Sequence, residues 1–291
     1  MSEYSQYHIS NSLISCTICE LGAEIISLKL KANKHEYIWQ ADPKIWAGSA
    51  PILFPFVGRL KHGKYNIDKE EYSMPTHGFI SSQCFSLVEK TASSITLRSR
   101  GSQSTMQLYP FMFQFDVTFS LEQKSLIVTY KISNQDSTEL YFSIGSHPAF
   151  SLPTAEFQHE KCTLLFSDKE KAYCQLIKDD LLTEETYPVE FTEQKLTLTP
   201  DLFVHDAFIF RDVSSSLITL LVDDTPVLAL EMGNNKHLGL WAKPDAPYIC
   251  IEPWTATDET IKTAAELTEK PDMIQLSSGK AYSNYYRINL L

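Results

Sequence analysis

Short runs in which apolar and polar residues alternate recur along nearly the whole chain. Clear examples are Phe115–Phe119, Leu126–Ile132, Leu217–Val222 and Tyr282–Leu290, each bounded by turn-forming residues. Alternation with a period of two is typical of a strand that buries one face. Many short strands separated by polar turns predict an all-β protein, either a sandwich or a barrel.

One segment near the C-terminus predicts a short helix instead of a strand. It covers Thr257–Lys270, with Thr257 or Asp258 as the N-cap, and Pro271 follows its last residue. The strand pattern continues on both sides of it, and no linker, internal repeat or low-complexity segment interrupts the chain. We therefore expect residues 1–291 to form a single domain.

The segment Trp46–Arg59 is apolar but contains Pro51 and Pro55. Proline excludes a helix interior and a central strand, so the segment is expected to be irregular. An irregular buried segment often lines a site, because its backbone polar groups need partners. Arg59 ends the segment with a guanidinium group suited to binding oxygen atoms, although a surface ion pair would also explain it.

Two histidines lie where apolar or strand-like segments end at proline or glycine. His147 follows an alternating run that ends at Ile144, and it precedes Pro148; His77 lies between Pro75 and Gly78. A proline restricts the residue before it to extended backbone. On its own, each histidine is well explained as a loop residue, but two in matching settings favour a shared function.

An apolar run, Tyr248–Ile251, leads directly into Glu252 and Pro253. A carboxylate at the end of a buried strand is costly unless it is hydrogen-bonded, paired or functional. Asp206 stands beside His205 at the entrance to another apolar strand, where either residue could face a ligand and a solvated turn is an equal alternative. Trp241 and Trp254 lie on either side of Glu252 in the sequence. Each could be an apolar platform for a ligand or a core residue.

Composition and charge exclude several classes of function. The chain has 25 Lys and Arg against 36 Asp and Glu, a formal charge of −11, which disfavours nucleic-acid binding. No apolar run approaches the roughly 20 residues that span a bilayer, and the N-terminus lacks a signal-peptide pattern. Six cysteines include one Cys16-x-x-Cys19 pair without a second pair at zinc spacing, which argues against a metal site. We expect a cytoplasmic protein with reduced thiols, outside the membrane.

His77, His147 and Glu252 together suit proton transfer. Glu is ionised near neutral pH and His titrates near about 6.5, so the first is a ready base and the second a ready acid. Such groups each contribute roughly 10²–10⁴-fold to a proton-transfer step. No Ser-His-Asp spacing, His-Glu-x-x-His motif or glycine-rich phosphate loop competes with this interpretation.

Taken in order, the motifs resemble those of the aldose 1-epimerase (galactose mutarotase) family, especially its LacX-like branch. They are Gly22–Glu24, Pro51–Pro55 with Gly58 and Arg59, His77–Phe79, Gly145–Phe150 and Cys250–Trp254. The resemblance implies a large antiparallel β-supersandwich, neither metal nor organic cofactor, and interconversion of the α and β anomers of a free hexose.

The resemblance also implies roles for individual residues. His147 would protonate the ring oxygen and Glu252 would take the proton of the C1 hydroxyl. Arg59 and His77 would hold the ring and C1 oxygens, and Asp206 would bind sugar hydroxyls. Trp241 would offer a stacking surface.

Two alternatives come from other classes of protein. A non-catalytic sugar-binding or sugar-sensing protein could share the scaffold, but binding alone requires no acid–base pair. A glycoside hydrolase would need two carboxylates, which Asp206 and Glu252 could supply. The identity of the aldose and the formation of a homodimer stay open. Phosphorylation of the sugar also stays open, with Arg59, Lys61 and Lys243 as the nearby cations.

Overall fold

A computed structural model describes residues 4–152, 161–199 and 202–291. Within these ranges the strands, in chain order, are β1 (Gln6–Ser10), β2 (Ile14–Cys19), β3 (Ile25–Leu30), β4 (Ile52–Leu53), β5 (Lys64–Ile67), β6 (Glu70–Ser73), β7 (Ser86–Lys90), β8 (Ser94–Arg100), β9 (Phe113–Glu122), β10 (Ser125–Asn134), β11 (Leu140–Phe142), β12 (Gly145–Ser146), β13 (Ala149–Ser151), β14 (Cys162–Phe166), β15 (Tyr173–Lys178), β16 (Leu181–Pro188), β17 (Lys195–Thr197), β18 (Phe208–Phe210), β19 (Leu217–Val222), β20 (Thr225–Glu231), β21 (His237–Trp241), β22 (Tyr248–Trp254), β23 (Ile274–Leu276) and β24 (Ala281–Leu290).

Two large antiparallel sheets carry most of these strands. A nine-stranded sheet has the order β17-β14-β19-β20-β24-β10-β9-β8-β7, and a six-stranded sheet has the order β18-β21-β22-β12-β4 with β13 also paired to β22. Smaller sheets are formed by β1-β2-β3, β5-β6, β11-β23 and β15-β16. The prediction of an antiparallel all-β supersandwich is confirmed.

The core lies between the two large sheets. Alternate residues of β10 and β24 are buried, as a sheet with one covered face requires. Every residue of β22 is buried, because this central strand is covered on both faces. Across the interior, Ser146 at the end of β12 donates a hydrogen bond to the Tyr286 hydroxyl of β24, at 3.1 Å. Glu252, a charged residue type on β22, is therefore held away from bulk water.

The predicted helix over Thr257–Lys270 is wrong. The described residues contain no α-helix, and their helical segments are three-residue 3₁₀ turns at Lys61–Gly63, Ile80–Ser82, Thr105–Gln107 and Leu267–Glu269. Long-range partners take the backbone groups that a helix would need: Glu259 N–H donates to Arg59 O, and Leu182 N–H donates to Glu259 O. A local capping pattern cannot reveal such tertiary partners.

The bond between Leu182 and Glu259 anchors the β15–β16 hairpin beside the six-stranded sheet. The hairpin turns through Asp179 and Asp180, whose φ angles are both positive, at 49° and 64°. Aspartate tolerates this left-handed backbone better than most residues. The anchored hairpin places Asp180 3.7 Å from Arg59, which lines the main cavity described below.

No helix in the described ranges has the length and apolar character needed to cross a membrane. All six cysteines are free thiols in this structure.

Candidate active site

A cavity of about 330 Å³ opens over one face of the six-stranded sheet. This size lies within the range typical of small-molecule pockets. Its lining consists of Trp46, Pro51, Leu53, Arg59, Thr76, His77, Ser81, His147, Ile177, Asp206, Ala207, Trp241, Glu252, Trp254 and Asp258. All six residues proposed from the sequence therefore meet at one cavity.

Glu252 and His147 form the centre of this site. Their atoms Oε2 and Nε2 are 3.3 Å apart, and the residues are only 1% and 8% exposed. Glu252 lies in the middle of β22, and His147 lies between β12 and β13, which both pair with β22. The His147 N–H also donates to Pro51 O, so the irregular proline segment fixes the histidine backbone.

Two glycines make room for the indole of Trp254 next to this pair. A Cβ on Gly145 would lie 2.6 Å from the indole, and a Cβ on Gly239, which pairs with Glu252 across β21 and β22, would lie 2.7 Å from it. Contacts this short do not occur between real side chains, so glycine is required at both positions. The Gly145 of the sequence motif thus has a packing function.

Burial acts in opposite directions on the two members of the pair. It raises the pKa of Glu252 well above its usual range, and nearby Asp258 and Asp206 add to that rise. Burial lowers the pKa of His147 well below its usual range, as does neighbouring His77. Both effects disfavour the charged form. These shifts favour a single proton on the pair, held on Glu252, with the imidazole neutral.

His77 is held in a defined tautomer. Its Nδ1 accepts a hydrogen bond from the Gly58 N–H at 3.0 Å, so the neutral ring carries its proton on Nε2. Desolvation, followed by the positive charge of Arg59, lowers the pKa of His77 to about 4. At neutral pH His77 is thus a hydrogen-bond donor at the cavity wall and not a cation.

Three carboxylates surround the guanidinium of Arg59. Asp206 accepts a hydrogen bond from it at 2.7 Å, and oxygens of Asp180 and Asp258 lie 3.7 and 3.9 Å from its nitrogens. Asp258 also accepts the backbone N–H of Arg59 at 2.9 Å. The arginine side chain is therefore fixed in one orientation, with its positive charge already compensated by the protein.

Asp206, and not His205, faces the cavity. The His205 side chain is exposed and packs against Tyr187, with ring centroids 5.1 Å apart. The sequence left this choice open, because adjacent residues in a turn can exchange roles.

An aromatic wall encloses His147. Trp46 stacks on the imidazole at a centroid distance of 5.0 Å and an interplanar angle of 29°, and Trp241 meets it edge-on at 5.7 Å. Trp241 was expected at the site, whereas Trp46 was noted only as the start of the irregular segment. Its position before two prolines in an apolar, non-strand segment was the available signal.

His237 follows polar residues in the sequence but is buried in the structure. It begins β21 and is 1% exposed, with Nδ1 accepting the Asp212 N–H at 3.0 Å. Polar residues precede it in the sequence, and in the structure Lys236 and Asp272 form an ion pair beside it. It lies outside the cavity lining.

One group of described residues has donor atoms close enough to hold a metal ion. It consists of His147, Cys250 and Glu252, whose ligand atoms lie within 4.8 Å of one another. The sequence argued against a metal site, because the Cys16-x-x-Cys19 pair has no second pair at zinc spacing, and it gave Cys250 no role.

Comparisons with known proteins find relatives over nearly the whole chain. The family model described as aldose 1-epimerase matches residues 5–289. The plasmid-encoded protein LacX of Lactococcus lactis subsp. lactis is 28% identical, over 97% of this chain and 98% of LacX. The structure of a galactose mutarotase related enzyme from Lactobacillus acidophilus has a TM-score of 0.93 at 29% identity, covering 99% of this chain and 97% of that one. A galactose mutarotase-like protein from Lactobacillus casei has a TM-score of 0.91 at 25% identity, covering 99% and 100%.

Proposed function

Because this chain belongs to the aldose 1-epimerase family, we propose that it interconverts the α and β anomers of a free hexose by general acid–base catalysis. The observation that carries the proposal is the buried pair of His147 and Glu252, 3.3 Å apart at the floor of a hexose-sized cavity. A binding protein would gain nothing from burying two titratable groups without other partners.

The reaction requires two proton transfers at one end of the sugar. Glu252 as carboxylate takes the proton of the C1 hydroxyl, the C1–O5 bond breaks as the C1 carbonyl forms, and protonated His147 delivers its proton to O5. Rotation about C1–C2 and the reverse transfers close the ring on the other face, so no atom or proton is gained overall. Sugar binding must first move the shared proton from Glu252 to His147 across their 3.3 Å gap.

The other polar groups position the sugar. The Nε2–H of His77 and the fixed guanidinium of Arg59 donate hydrogen bonds to ring and C1 oxygens, and Asp206 accepts them from hydroxyls. Trp241 and Trp46 supply apolar surface for the faces of the ring.

The charges of the cavity favour an uncharged substrate over a sugar phosphate. Arg59 is the one Lys or Arg among its lining residues, and three carboxylates already contact it. The two lysines considered from the sequence are engaged elsewhere: Lys61 donates to Ile261 O, and Lys243 donates to Ile45 O. A phosphate dianion would meet net negative charge here.

Reversing the charge of Asp180 is expected to shift this preference. Asp180→Lys should raise kcat/KM for glucose 6-phosphate relative to glucose by roughly threefold to tenfold at low salt, since exposed charges interact by about 1 kcal/mol at 4 Å in water. The Asp180 side chain is 84% exposed, so a lysine meets no packing clash, and the control below carries the same strain of a lysine at positive φ. Asp179→Lys, on the same turn, is the matched control. Equal ratios in all three proteins would contradict an electrostatic role for Asp180.

The rate should depend on pH through the shared proton. The active pair of His147 and Glu252 holds one proton. A second proton would leave Glu252 unable to act as the base, and loss of the single proton would leave His147 unable to act as the acid. Burial lowers the pKa of His147, which resists the second proton, and raises that of Glu252, which resists loss of the first. We expect a plateau of kcat/KM through neutral pH, with the acid limb below pH 6.5, the ordinary histidine value. An acid limb above that value, after correction for buffer catalysis, would contradict the assignment.

Polarimetry tests the proposed function directly. Freshly dissolved α-D-glucose or α-D-galactose should relax faster with the protein than in buffer, and to the same final rotation. If no aldose, free or phosphorylated, relaxes faster, the catalytic proposal fails and calorimetric screening for sugar binding would test the non-catalytic alternative.

A further inference from the structure

We infer that the cavity also binds a soft divalent cation of the zinc class through His147, Cys250 and Glu252, and that the bound ion inhibits epimerisation. The inhibition rests on the proposed function, whereas the binding does not. Cys250 has no part in the proposed reaction, although it lies directly beside the catalytic pair.

Strand geometry places the three donors on one side of the sheet. Cys250 and Glu252 are two residues apart on β22 and so project from the same face. Cys250 pairs with Ala149, two residues after His147, which brings the imidazole to the same place. The arrangement follows from the antiparallel pairing of β13 with β22 and needs no flexible loop.

The distances suit tetrahedral coordination. With zinc–nitrogen and zinc–oxygen bonds of about 2.0–2.2 Å, the two donors lie roughly 3.3–3.5 Å apart. The observed separation of His147 Nε2 and Glu252 Oε2 is 3.3 Å. The Cys250 sulfur lies within 4.8 Å of both other ligand atoms, so a shift of roughly 1 Å would bring it to bonding distance. The open cavity leaves a fourth position for water or a sugar oxygen.

An unpaired polar atom provides a second observation. Oε2 of Glu252 is buried and has no hydrogen-bond partner among the described residues. A buried polar atom without a partner is costly, and coordination would satisfy this carboxylate oxygen.

Charge gives a third argument. A divalent ion matches the two negative charges of a thiolate and a carboxylate, and binding releases the thiol proton and the proton shared by Glu252 and His147 to solvent. The carboxylates of Asp180, Asp206 and Asp258 outnumber Arg59 around the cavity, so its potential attracts cations.

The binding is tested with Cd²⁺ alone, which gives a near-ultraviolet charge-transfer band when a thiolate coordinates it. Cys19 and Cys84, the two cysteines that are not buried, are first replaced by serine to remove background sites. One equivalent of Cd²⁺ should then produce the band, and Cys250→Ser should abolish it. Cys162→Ser, a matched change at another buried cysteine, should leave it intact. A band that persists in Cys250→Ser, or no band in the parent, would overturn the inference.

The inhibition is tested by polarimetry with added Zn²⁺. The ion should slow the native enzyme in competition with the sugar, and Cys250→Ser should need at least about tenfold more zinc, because loss of a ligand weakens metal sites by at least as much as loss of an outer-shell partner. Equal sensitivity of the two proteins would overturn the inhibitory role. Cd²⁺ binding without any epimerisation would disprove the proposed function alone, and epimerisation without Cd²⁺ binding would disprove the metal site alone.

Discussion

Glu252→Gln should lower kcat/KM for anomer interconversion by roughly 10²–10⁴-fold, the usual contribution of a general base. The amide has nearly the shape of the carboxylate but cannot accept the C1 hydroxyl proton. The fold should be retained, because burial favours the neutral acid form of Glu252 and the neutral amide has nearly the same shape and charge. Polarimetry of α-D-glucose measures the rate, and the midpoint of urea denaturation measures stability.

Glu231→Gln is the matched control for this loss. Glu231 lies on β20 of the other large sheet, where it accepts a hydrogen bond from Tyr285 and lies near Arg287. Its replacement should leave the rate unchanged. Retention of the full rate by Glu252→Gln would remove Glu252 from the mechanism, whereas a lost rate with a lowered denaturation midpoint would indicate a structural role.

The fold could be predicted because its signal is local. Alternation along β9, β10 and β24 reports directly which face is covered, and the structure buries those faces. The helix over Thr257–Lys270 failed for the opposite reason, since Asp258 looks like an N-cap in sequence. Its carboxylate instead accepts the backbone N–H of Arg59, 199 residues away.

Site residues could likewise be predicted where their signal is local. His147 and Glu252 were found because a titratable residue beside a proline, next to an apolar strand, is unusual in its own segment. Trp46 had only the weak signal of its place before two prolines. Asp180 has no local signal, and it approaches Arg59 only through the tertiary placement of a hairpin. A residue whose role depends on a neighbour distant in sequence leaves little trace in the sequence around it.

His147→Asn should reduce kcat/KM by a similar factor, roughly 10²–10⁴-fold, because O5 would lose its proton donor. The effect should not add to that of Glu252→Gln. The two residues hold one proton between them across 3.3 Å, so either change alone leaves a pair that cannot transfer both protons. We expect the double variant to be about as slow as the slower single variant, as for groups that act as a unit.

A double-mutant cycle by polarimetry measures this coupling, with His62→Asn as the control. His62 lies outside the cavity in a turn at φ 60°, a backbone conformation that asparagine tolerates well, so its replacement should affect neither rate nor fold. If the losses of the two single variants multiply in the double variant, His147 and Glu252 act independently. The shared-proton mechanism would then be wrong even if each residue proved essential, because a single proton cannot serve two groups that act independently.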